Sequence, residues 1–224
     1  MPDETSAPID TPTDTAAAEA DAPARRRAGR RPPRSMSDRF AGLRALRALT
    51  PPDEAAAAHA ALVDGVGAAW ERSADAIVAA RAAVEDARDL VELADAEFDR
   101  AAKRWGNSVR RADDGAVDAV GLREALGGVN ISDWIGAPVD DELGRARALF
   151  VRLDTSPRGG ADELRALQKA TDALAGAWAA YGAAKVDRDR ALAASAAAAD
   201  AFDAAWSKVG RLWDVSGAPG FPRF

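Results

Sequence analysis

Cysteine is absent from this 224-residue chain, which excludes disulfides, thiol nucleophiles and thiolate metal sites. Histidine occurs once, at His59. One imidazole without a thiol cannot build a usual zinc site, and it cannot supply the paired Glu-x-x-His motifs of a di-iron bundle. His59 is read as a partly exposed polar residue of a long helix. Lysine is scarce too: Lys103, Lys169, Lys185 and Lys208 are the whole set, so the basic charge is carried by arginine.

No stretch of about eighteen apolar residues lacks charge, so no transmembrane helix is expected. The Ala-rich run 191–199 is too short to serve. The first residues, Met1 to Pro8, are acidic and lack an apolar core, so no secretory signal is expected, and a cytoplasmic location follows as the default. Glycine pairs at Gly127-Gly128 and Gly159-Gly160 lack the flanking strands and lysine of a phosphate loop and read as turns. No catalytic constellation, metal site or cofactor motif emerges.

What the chain has is alanine. The hydrophobic fraction is 48% with aromatics only 6%, a composition that buries little area per residue and suits a thin helix-on-helix seam. From Pro51-Pro52 to about Arg111 there is no proline, and Asp53-Glu54 place acids where a helix N-terminus favours them. Residues seven apart then read Trp70, Ile77, Val84, Val91, Phe98, Trp105, beside a small-residue series Ser73, Ala80, Ala87, Ala94, Ala101. That alternation is a coiled-coil-like seam. A second segment gives Leu167, Leu174, Tyr181, Arg188, Ser195, Phe202, Val209 beside an unbroken column Ala170, Ala177, Ala184, Ala191, Ala198, Ala205.

The fold expected is all-α: a long antiparallel two-helix hairpin with an Ala-rich seam, two short tip helices and a disordered N-terminal tail. Long helices are placed at about 53–111 and 161–213, tip helices at about 116–126 and 138–153, and the hairpin domain at 51–213. A Gly/Pro-rich end covers 214–224. Trp70, Trp105 and Trp206 are read as spacers sealing the seam, with Trp70 level with about Trp206. Trp213, Phe221 and Phe224 remain candidate docking aromatics for a protein partner. Acid pairs such as Asp86/Asp89 and Glu92/Asp95, with Arg81, Arg88 and Arg100 nearby, are read as solvated faces, because a bare hairpin offers no pocket to separate their pKa values.

The tail, 1–50, is acidic and then arginine-rich, with a short helix expected at 36–49. Nine arginines face Asp38 alone between 25 and 50, while the chain beyond is net acidic. The cluster Arg25, Arg26, Arg27, Arg30, Arg31 and Arg34 is the candidate polyanion-binding site, and Arg39 and Arg47 interrupt the apolar wedge that follows it. Two functional readings result. The first is a non-enzymatic structural or interaction protein that self-associates or docks on a protein partner. The second is a non-specific nucleic-acid binder acting through the tail.

Overall fold

The computed structural model describes residues 32–33, 35–112, 119–155 and 159–222. The expected tail disorder, the arginines Arg25 to Arg34, the start of the tip helix expected at 116–126, and Phe224 lie outside the described residues.

Among the described residues seven α-helices follow in chain order: α1 (Met36–Arg47), α2 (Asp53–Ala60), α3 (Ala68–Ala112), α4 (Ala119–Ala125), α5 (Ile131–Trp134), α6 (Val139–Thr155) and α7 (Ala161–Ser216). A π-helical segment, Ala61–Gly67, joins α2 to α3. There is no strand among the described residues, and no helix there is long and apolar enough to cross a membrane. The long helices α3 and α7 pack antiparallel as the heptads require.

The register follows from the ring contact of Trp70 with Phe202, 5.6 Å between centroids. Equal rise on both helices then sets Ile77 level with Ser195, Val84 with Arg188, Val91 with Tyr181, Phe98 with Leu174 and Trp105 with Leu167. Both heptad series are therefore two sides of one seam. Every member on α3 is buried, and on α7 only Tyr181 and Arg188 are half-exposed. Trp70 thus sits one turn from the level expected of it. The middle of the shaft pairs branched residues of α3 with small or polar ones of α7. The alanine column of α7 is half-buried along its length, which lets the backbones approach.

Two separate cores close the ends. The tip core joins Phe98, Ala102, Trp105 and Val109 of α3 to Trp134, Leu143, Leu149, Leu153, Leu167 and Leu174. The base core joins Leu43 and Leu46 of α1 to Leu62, Trp70, Phe202, Trp206, Val209, Trp213 and Phe221.

The helix at 36–47 is accordingly part of the packed body, and the boundary drawn at residue 50 cuts through the base core. Ser35 and Asp38 form a capping box at its start: Asp38 N donates to Ser35 Oγ at 3.0 Å and Ser35 N to Asp38 Oδ2 at 3.3 Å. The arginines that interrupt its apolar face are its anchors. Arg39 donates twice to Asp203 of α7, at 3.0 and 2.7 Å, and Arg47 twice to Glu71 of α3, at 2.9 and 2.6 Å.

His59 is buried, not partly exposed. Its Nε2 donates to the Leu46 carbonyl at 2.9 Å, beside the Leu49 N–H that the same carbonyl accepts at 3.1 Å, and so ties α2 to the end of α1. Trp213 Nε1 donates to the Pro219 carbonyl at 3.2 Å, turning the C-terminal segment back so that Phe221 enters the base core.

Gly67 gives α1 its seat. A β-carbon there would stand 2.7 Å from Leu43 Cδ1 and 2.7 Å from the Leu62 carbonyl oxygen. Gly67→Ala should therefore lower stability by about 1–3 kcal/mol through overpacking, although alanine is the better helix former by roughly 0.5–1 kcal/mol. Urea unfolding measures it; an increase in stability would show that α1 is not pressed against this turn.

Candidate functional site

The tip core contains one cluster of charge. Asp95 and Asp99 lie one turn apart on α3, beside the buried Phe98. Glu142 stands in the first turn of α6, whose start carries Asp140, Asp141 and Glu142 behind Pro138. One carboxylate oxygen from each of Asp95, Asp99 and Glu142 lies within 4.8 Å of the other two. Glu142 is only 1% exposed, while the aspartates are half-buried.

Aromatic side chains hold this arrangement. Trp134 Nε1 donates to the Glu142 carbonyl at 3.1 Å, and the Trp134 ring meets Phe98 edge-on at 5.3 Å. Trp178 Nε1 donates to Asp140 Oδ1 at 2.8 Å, tying the start of α6 to α7. Basic groups stand nearby: Lys103 Nζ is 3.4 Å from Asp99 Oδ2, and Arg145 favours the charged form of Glu142. They do not balance the acids. Burial, then the charge and hydrogen bonding of Asp95 and the charge of Asp99, push the Glu142 carboxyl up to about 8.

Three acceptor atoms in this cluster, Asp95 Oδ1, Asp99 Oδ1 and Glu142 Oε2, are buried without a hydrogen-bond donor. The oxygen-only donor set suits a proton or a hard cation and gives no purchase to soft metals. The solvated-face reading of Glu92/Asp95 therefore fails for Asp95. Its neighbours are Asp99 and Glu142, because the first turn of α6 brings Glu142 to that side of α3. A signal was present: Asp95 heads a heptad column that continues through the buried Ala102 and Val109.

The candidate docking aromatics fare differently. Trp213 and Phe221 are buried against one another, 5.6 Å between ring centroids, and Phe221 meets Trp206 at 5.0 Å. They seal the base and present no docking surface. The tip also carries a shallow cleft lined by Arg110, Leu122, Arg123, Val129, Asn130, Ile131 and Ser132. Arg123 Nε is already committed there to the Gly128 carbonyl at 2.8 Å. Comparison with family models, with curated proteins and with solved structures finds no match.

Proposed function

We propose that this chain is a non-enzymatic structural or protein-interaction protein, a helical strut that works through its outer faces. The observation that supports this is where the apolar side chains go. The five tryptophans Trp70, Trp105, Trp134, Trp206 and Trp213 are fully buried in the two end cores. The large apolar groups left outside include Val78, Leu90 and Leu93 of α3, exposed by 56–66%. At about 100° per residue these three share an arc on the side of α3 away from the seam. A rod with closed ends that leaves large apolar residues among the acids on the outer face of its shaft is open to contact from the side, by a second copy or by a partner protein.

Sedimentation of the full chain tests it. Self-association is expected at about micromolar concentration, and Leu90→Glu with Leu93→Glu should abolish it without loss of helix. A chain that stays monomeric over a hundredfold range would overturn self-association. Steeply salt-dependent DNA binding that disappears on deleting 1–35 would favour the polyanion reading instead.

A further inference from the structure

We propose that Asp95, Asp99 and Glu142 form a binding site for one hard divalent cation that braces α6 against α3. The starting point is the buried, donor-less oxygens. A buried polar atom without a partner costs of the order of a lost hydrogen bond, and buried polar groups in folded proteins are nearly always satisfied. Here three such atoms belong to three carboxylates and converge on one point. Glu142 brings the strongest case, since its side chain is withdrawn from water and its Oε2 has no hydrogen-bond partner.

The spacing fits a cation. Two oxygens bound to one ion at 2.0–2.6 Å lie at most about 4–5 Å apart, and the three oxygens fall within 4.8 Å of one another. All donors are hard oxygens, and no histidine or cysteine belongs to the set, so calcium, magnesium or manganese suits it and copper or zinc does not. Three protein ligands leave coordination positions for water on the side where the aspartates are half-exposed. Lys103 sits at that rim on Asp99 Oδ2, leaving Asp99 Oδ1 free for the ion.

The surroundings are made to hold the ligands still. Trp134 fixes the backbone of Glu142, Phe98 supports the Trp134 ring, and Trp178 pins Asp140 two residues before Glu142. A ligand carboxylate on rigid helices loses little freedom on binding.

Calorimetric titration of the EDTA-treated full chain with calcium, magnesium or manganese chloride, with manganese paramagnetic resonance as a second readout, tests the site. One equivalent of at least one of these ions should bind, and the melting temperature should rise with ion concentration as mass action requires. Glu142→Gln and, separately, Asp95→Asn should each weaken binding at least tenfold while circular dichroism stays unchanged. Asp89→Asn, on the exposed face of α3, should bind as the natural chain does. No heat and no change in the manganese signal up to millimolar ion would overturn the proposal, leaving a proton shared between Glu142 and Asp95. Unchanged binding in both ligand variants would overturn it equally.

Discussion

Replacing Trp206 by alanine should cost about 3–5 kcal/mol of stability, the largest loss expected from any single substitution in the base core. Its indole is fully buried, stacks on Phe202 at 5.8 Å between centroids and meets Phe221 edge-on. In a chain whose shaft is packed with alanine, few other side chains bring comparable buried area. Removing it opens a cavity among Leu43, Leu62, Val209 and Trp213, on three different segments that cannot all collapse inward together. Urea unfolding followed by circular dichroism reads the change. Trp105→Ala, in the separate tip core, should add to it nearly independently, because distant sites without shared partners are additive. A loss below about 1 kcal/mol would mean that the indole is not a core residue.

The second large effect is on pH. Glu142 keeps its proton in the folded chain up to about pH 8, whereas its ordinary value is 4.5. Between those two values the unfolded chain has released a proton that the folded chain still binds. Stability from this group therefore falls as pH rises through that window, by at most about 1.4 kcal/mol per pH unit. The direction is opposite to that of a salt-bridged carboxylate, whose contribution is lost on acidification. Glu142→Gln should flatten the profile and make the metal-free chain more stable at pH 8. The measurement is urea unfolding in EDTA at several pH values. Stability that rises between pH 5 and 8, equally in the natural chain and in the variant, would contradict the burial of this carboxyl.

The hairpin was legible because its physics is repetitive. A seam needs one large residue every seven, and the α3 series from Trp70 to Trp105 supplies it without a gap. The tip carboxylates were not legible for the opposite reason. Whether Asp95 faces water or protein depends on α6, whose position is set by tertiary packing of Trp134, Leu143 and Leu149 rather than by any period along α3. The same holds at the base. Arg39 and Arg47 spoil an amphipathic pattern when α1 is considered alone, and only the acids opposite, Asp203 and Glu71, turn them into anchors. Trp213 and Phe221 looked free because a Gly/Pro-rich end gives no hint that it folds back, a reversal fixed by Gly217 in the left-handed conformation (φ 68°) and by the Trp213–Pro219 hydrogen bond.

The central claim is that α3 and α7 run side by side in the register set by Trp70 and Phe202. Because the chain has no cysteine, two can be introduced cleanly and spin-labelled. Asp75 and Ala197 are both exposed and lie level in that register. Packed helix axes run about 8–10 Å apart, so even with flexible label arms the separation should be narrow and below about 30 Å. Pulsed dipolar spectroscopy on spin-diluted protein measures it directly. One narrow, short distance is the result the hairpin predicts; a broad distribution, or one centred well beyond that limit, would contradict it.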